Sequence, residues 1–308
     1  MKKTIPMRNT GSQFFFPILV SFGLATGSLA WAAPITFNTA LPVSSGEFLL
    51  RGQLKWLRSS DDPTAMNRDL TVWAAPTVLA YGVNERLALF GIVPYLDKHL
   101  EVNTPLGRVG RGDAGLGDAT FLARYTIWEA NKTGATLRLA PFAGLKVPSG
   151  DDDAQDALGV LPRPLQLGAG SWDPLFGTIF TWQTFAGEFD SSISYQVNTE
   201  ADGYRFGDQA EWDLSYQYRL WPGKLGAGVP GFLYAVLESN LLWAWQDRAS
   251  GQNVPDTGGT TWYLAPGLQY VTKRYVLETA IQLPVVQTLN GNALRNDFIL
   301  TAGFRVNF

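Results

Sequence analysis

The 308-residue chain carries a single histidine and no cysteine, which leaves few groups for covalent or metal chemistry. His99 stands between Asp97 and Glu101, and any Ser-His or Asp-His hydrolase built on this chain would have to use it. Such an enzyme also needs a presented nucleophile. No G-x-S-x-G elbow accompanies the histidine, and Gly168 to Trp172 reads Gly-Ala-Gly-Ser-Trp instead. Without cysteine, a thiolate metal site, a disulfide framework and a cysteine nucleophile are all excluded. Asp151, Asp152, Asp153 and Asp156 gather carboxylates as a calcium loop does, but the glycine and distal glutamate of an EF-hand are missing. A solvated loop face is the expectation there. Gly110, Gly112 and Gly115 match G-x-G-x-x-G in spacing, yet an alternating strand follows where a dinucleotide site requires a helix. The residues therefore define no catalytic, cofactor or metal site, and a non-enzyme is expected.

The elements that carry these residues are of one kind. Phe298, Leu300, Ala302, Phe304, Val306 and Phe308 share one parity, while Asp297, Thr301, Gly303, Arg305 and Asn307 share the other. The same split recurs at Trp212, Leu214, Tyr216, Tyr218 and Leu220 against Glu211, Asp213, Ser215, Gln217 and Arg219. Alternation of this sort puts apolar and polar side chains on opposite faces of a strand. It predicts twelve strands, near 48–58, 69–81, 86–96, 116–128, 134–147, 174–183, 187–198, 209–220, 231–244, 260–271, 274–285 and 296–308. Short connections alternate with long ones, the long ones covering 59–68, 97–115, 148–173, 199–208, 245–259 and 286–295.

Strands of that length with alternating turns and loops are expected of a transmembrane antiparallel β-barrel of about 12 strands. A secreted β-sandwich also alternates, but three features oppose it. Aromatic residues cluster near strand ends, among them Trp56, Tyr95, Trp128, Trp182, Trp212, Trp243, Trp262, Tyr270 and Tyr275, as interfacial girdles do. The chain ends on Phe308, the terminal aromatic expected to engage barrel-assembly machinery. The polar parity mixes small neutral residues with both signs of charge, as a lumen does.

Lys2, Lys3 and Arg8, an apolar stretch over 14–29 and Ala30-Trp31-Ala32 describe a cleaved signal peptide over 1–32. An N-terminal membrane anchor is the alternative, disfavoured by the Gly, Ser and Thr that interrupt the stretch. Residues 33–46 are expected to be a periplasmic or lumen-plugging segment, and 47–308 the outer-membrane barrel of a Gram-negative bacterium. The 24 basic residues do not exceed the 27 acidic ones, so no nucleic-acid face is expected.

On the polar parity stand Arg51, Lys55, Arg86, Arg124, Arg138, Lys146, Arg219 and Arg305, opposed by Asp118, Asp190, Glu211, Asp213, Glu238, Glu278 and Asp297. These are the expected lumen-lining residues, and facing Arg–carboxylate networks are expected because lone charges in a narrow lumen are costly. Pro76, Pro141 and Pro266 fall mid-strand, where a closed barrel offers no free edge for a residue without an N–H. Each predicts a bulge or a locally compensated gap, and one of them is expected to loosen the wall enough for apolar cargo to leave sideways.

Several segments together resemble the MetA-pathway phenol-degradation family of outer-membrane transporters. They are Tyr81-Gly82-Val83-Asn84-Glu85-Arg86, Val93-Pro94-Tyr95 and Gly115-Leu116-Gly117-Asp118, then Gly144-Leu145-Lys146-Val147-Pro148-Ser149-Gly150-Asp151 and Leu167-Gly168-Ala169-Gly170-Ser171. The resemblance implies a barrel linked to uptake of aromatic or other hydrophobic compounds, and it brings no catalytic residues. Passive uptake of a small molecule, without cofactor, is the expected function. An outer-membrane hydrolase using His99 and a structural or adhesive barrel with functional loops are the alternatives. The expected partners are membrane lipids, the assembly machinery and a small-molecule solute.

Overall fold

A computed structural model describes residues 32–105, 107–224 and 231–308. All but the last residue of the expected signal peptide lie outside the described residues. The described chain forms a closed antiparallel barrel of twelve strands. The first three are β1 (Phe48–Ser59), β2 (Asp69–Gly82) and β3 (Leu87–Thr104). β4 runs in three segments, Gly107–Leu116, Ala119–Tyr125 and Trp128–Lys132. There follow β5 (Ala135–Val147), β6 (Asp173–Thr184), β7 (Gly187–Gln196), β8 (Gln209–Trp221) and β9 (Phe232–Ala244). β10 (Gly259–Val271), β11 (Tyr275–Leu289) and β12 (Phe298–Asn307) complete the wall. Closure comes from β1 pairing with β12, from Leu49↔Asn307 to Arg58↔Phe298. Every strand thus has two neighbours, which removes the free edges that hydrocarbon would not solvate.

The alternation read from the sequence sorts the two faces. Trp73, Trp182, Trp212, Tyr216, Tyr218, Leu300 and Phe304 are exposed on the outside. Asp190, Ser215, Gln217, Glu238, Gln269 and Thr301 are buried within. Two aromatic groups mark the ends of the outer surface. Trp56 stacks on Trp73 at 5.5 Å and meets Phe298 edge-on near the long loops. Phe48 lies against Tyr81 and Phe308 at the short-turn end, where the Phe48 and Phe308 backbones exchange hydrogen bonds of 2.8 and 2.9 Å.

One predicted loop is a strand pair. Residues 97–115 continue β3 and open β4 as a hairpin that extends the wall, paired from Tyr95↔Leu116 to Thr104↔Gly107. The reason is glycine. A Cβ on Gly112 would lie 2.4 Å from the Lys98 carbonyl oxygen, and one on Gly110 would touch the His99 ring at 3.0 Å. These glycines permit close pairing, and by lacking side chains they hide the alternation that marks the other strands.

The long 148–172 connection folds against this hairpin. Arg111 makes two bonds to the Asp156 carboxylate, at 2.8 and 2.9 Å, and holds it below the usual carboxylate range. Lys98 donates to the carbonyls of Pro164 and Gln166. The motifs that carried the family resemblance meet at one point here. Asp118 accepts from the backbone of Ser149 (3.2 Å), Gly150 (3.0 Å) and Ala169 (2.8 Å), while Gly168 donates to the Asp151 carbonyl. Gly168 must be bare, since a Cβ there would sit 2.4 Å from the Gly150 oxygen.

Asp118 is therefore a loop clasp at the mouth. Asp118→Ala leaves three amides without their carboxylate, a loss of about 1.5–3 kcal/mol for one such charged bond. Limited proteolysis should then cut the 148–172 loop at least about tenfold faster while the barrel stays heat-modifiable on a gel.

Candidate functional site

The lumen is not empty. Residues 32–44 run inside the barrel as a non-helical segment, with Ile35 and Ala40 fully buried and Leu41 and Val43 nearly so. A segment that joins no ladder must find other partners for its N–H and C=O groups. Inward-facing wall residues supply them. Glu238 of β9 accepts from the Ile35 N–H at 2.6 Å, the Thr36 N–H at 3.0 Å and the Thr36 hydroxyl at 2.6 Å. Gln269 of β10 accepts from the Ala33 N–H and donates to the Ala33 carbonyl, at 3.1 and 3.0 Å. Arg51 of β1 donates to the carbonyls of Pro34 and Ile35, and Gln53 also donates to Ile35. Arg124 of β4 donates to the carbonyls of Thr39 and Leu41, and Thr181 of β6 accepts from the Ala40 N–H at 2.8 Å. The segment leaves the barrel past Gly82, where a Cβ would lie 2.1 Å from the Ser44 oxygen.

Beside the segment runs a cavity of about 760 Å³. At the short-turn end it is bounded by Glu47, Asn131, Thr136 and Arg138, and toward the long loops by Lys55, Ser194, Gln209, Glu211 and Asp213. Its apolar wall includes Val78, Phe90, Ile92, Leu122, Phe142 and Ile179.

The fifteen expected lumen charges divide by position. Arg51, Lys55, Arg124, Arg138, Glu211, Asp213 and Arg305 line the cavity. Arg51 binds Glu278 at 2.7 Å, and Arg138 binds Glu129 at 2.8 Å. Arg305 lies opposite Arg51 in the β1–β12 register. Asp190, Glu238 and Glu278 are buried on the inner face, Asp190 holding Thr181 and Gln217. Arg219 sits near the short-turn end of β8, 6.0 Å from the Phe232 ring. Lys146 pairs with Asp173 at 2.7 Å and lies 3.9 Å from Asp118, at the long-loop end.

Three expected positions differ. Asp118 clasps loops instead of lining the lumen. Asp297 precedes β12 and accepts from the Ser60 hydroxyl at 2.7 Å. Arg86 is exposed in the turn between β2 and β3, because β3 begins at Leu87. The expected Arg–carboxylate pairing holds for Arg51 with Glu278. Arg124 and Glu238 instead hold backbone of the 32–44 segment. Gln269, Thr181 and Gln53 share that work, on the inward parity of their strands. His99 lies on the exposed hairpin, 3.9 Å from Glu101, outside the cavity lining.

The three prolines mark interruptions in the wall. β1–β2 pairing stops after Gly52↔Thr77 and resumes at Lys55↔Ala74, so Pro76 has no partner in β1. Pro141 lies between the β4–β5 pairings that end at Arg124↔Phe142 and begin at Trp128↔Leu139. Pro266 falls in the gap between Leu264↔Leu283 and Gly267↔Ala280. Of these, Pro76 also lines the cavity.

A closed twelve-strand barrel with a polar interior and a cavity beside the lumen segment defines an outer-membrane-type channel fold. The family model described as "Putative MetA-pathway of phenol degradation" matches residues 64–289, and the chain belongs to that family. Among solved structures it is similar to the COG4313 outer membrane channel from Pseudomonas putida F1, with a TM-score of 0.64 and 16% identity over 90% of this chain and 100% of that one. Weaker likenesses include the β domain of the Bordetella autotransporter BrkA (TM-score 0.44, 12% identity, 86% of this chain and 100% of that one). The NalP translocator domain from Neisseria meningitidis gives a TM-score of 0.42 and 8% identity over 86% of this chain and 89% of that one. No curated protein matches the chain in sequence.

Glu278 is the hub of the Arg51 side of the lumen, also accepting from Gln53 at 2.8 Å and Gln269 at 3.1 Å. Removing one partner of a buried pair strands the other, at about 3–5 kcal/mol. Glu278→Ala should lower the unfolding free energy in detergent micelles by that amount, and Glu278→Gln by less, as read from urea midpoints.

Proposed function

We propose that the chain is a passive outer-membrane channel for small aromatic or hydrophobic compounds, with the 32–44 segment as a plug that must shift for solute to pass. The cavity beside that segment carries the reading: it is lined by both apolar and charged groups, and the segment narrows the passage around which the wall closes. In this reading the short-turn end faces the periplasm, the long loops face outward, and exposed Phe308 presents the C-terminal signal to assembly machinery. No energy coupling is needed, since a concentration gradient drives a diffusing solute.

The interruption at Pro76 supports a sideways exit. Leu54 and Ala75 are adjacent outward residues in the unpaired stretch of β1 and β2. An apolar solute that reaches this wall from the lumen would find ladder hydrogen bonds already missing, and lipid lies beyond.

In liposomes the protein should admit phenol and toluene faster than a sugar of similar size. Leu54→Cys with Ala75→Cys, once oxidised across the seam, should slow toluene uptake at least about fivefold and be reversed by reductant, as lateral passage requires the strands to part. Equal rates before and after oxidation would sink the lateral route while leaving axial passage intact.

A further inference from the structure

Charged side chains at membrane depth are costly unless paired, and most of those that line the cavity meet a partner in direct contact. Arg51, Arg124, Arg138 and Asp213 have hydrogen-bonded partners, and Glu47 and Arg305 are also engaged. Among the described residues that line the cavity, only Lys55 and Glu211 are charged and have neither a hydrogen bond nor an ion-pair contact. Lys55 lies four residues before the end of β1, and Glu211 two residues after the start of β8, so both face the long-loop half of the lumen. Four strands, β9 to β12, lie between β8 and β1 around the ring, so the two side chains face each other across the lumen, each within the other's field.

We infer, on the reading of the chain as a channel, that Lys55 and Glu211 form a solute subsite for a small aromatic carboxylate carrying a hydroxyl at its far end. An ammonium donor and an acceptor-only carboxylate across a cavity call for a molecule with an anion at one end and a donor at the other. Pro76, Ile92 and Leu175 line the same cavity and give its body an apolar wall. A second negative charge on the solute would meet Glu211 and Asp213, and a simple cation would meet Lys55, so a monoanion fits best. The subsite rests on the segment itself. Asn240 donates at 2.9 Å both to Asp213 and to the Thr36 hydroxyl, tying the floor of the subsite to residues 32–44.

The test is calorimetric titration of the full chain in detergent with 4-hydroxybenzoate, benzoate and phenol. Wild-type protein should bind 4-hydroxybenzoate most tightly, and Lys55→Gln should weaken it about tenfold or more, as loss of a charge-assisted bond does. Glu211→Ala should weaken 4-hydroxybenzoate and leave benzoate unchanged, while Lys55→Arg retains binding of both. Heat-modifiable migration verifies that each variant is folded. Absence of 4-hydroxybenzoate binding by folded wild type, or equal binding by Lys55→Gln, overturns the subsite. Phenol uptake in liposomes is read separately: its absence with carboxylate binding intact would refute the channel reading and uphold the subsite.

Discussion

Backbone hydrogen bonding at membrane depth is the constraint on which this structure depends. The wall meets it by closing on itself, since β1 completes its ladder on β12 and no strand is left with a bare edge. The segment at 32–44 cannot meet it that way. It lies inside the ring with buried amides and carbonyls, and inward side chains of five strands take the place of a ladder. That requirement explains why the inner face is rich in residues with two-ended hydrogen-bonding capacity. Glu238 accepts from adjacent amides, Gln269 both accepts and donates at one residue, and Arg51 and Arg124 each span two carbonyls. A purely structural network could pair these charges with one another. Here only part of it does, with Glu278 neutralising Arg51 at the centre.

The same constraint locates the weak places in the wall. A proline contributes no N–H, and pairing is interrupted beside Pro76, Pro141 and Pro266. At Pro141 the partner strand is itself broken between its second and third segments, so the loss is local. At Pro76 the proline itself lines the cavity, as Pro141 and Pro266 do not, and the proposed exit lies there. The loops are held in another manner, through side-chain clasps such as Asp118 and Arg111 that fix their approach to the mouth.

Much of this was legible in the sequence because a barrel strand has only two faces. One glance at parity assigns Thr301 and Arg305 inward and Leu300 and Phe304 outward, and their burial follows. Where side chains are missing, parity is silent. The glycine-rich stretch from Gly107 to Leu116 reads as a loop, though its glycines permit a tight strand pair. Position along a strand is also less legible than face, so Arg86 and Asp118 have polar character but lie beyond the lumen. The partners of Arg124 and Glu238 were hidden for a different reason. They belong to a segment without periodicity, and nothing in its sequence marks which carbonyls and amides will face which wall.

The central proposal is that the 32–44 segment must leave its lumen contacts for solute to pass. Thr39 and Thr181 offer a direct way to hold it, since their hydroxyl oxygens are 3.0 Å apart. The measurement is phenol uptake into liposomes by the Thr39→Cys, Thr181→Cys variant, oxidised and then reduced. Uptake that falls to the protein-free rate on oxidation and returns on reduction is the predicted result. Uptake that proceeds unchanged with the segment covalently tied to β6 would contradict the account.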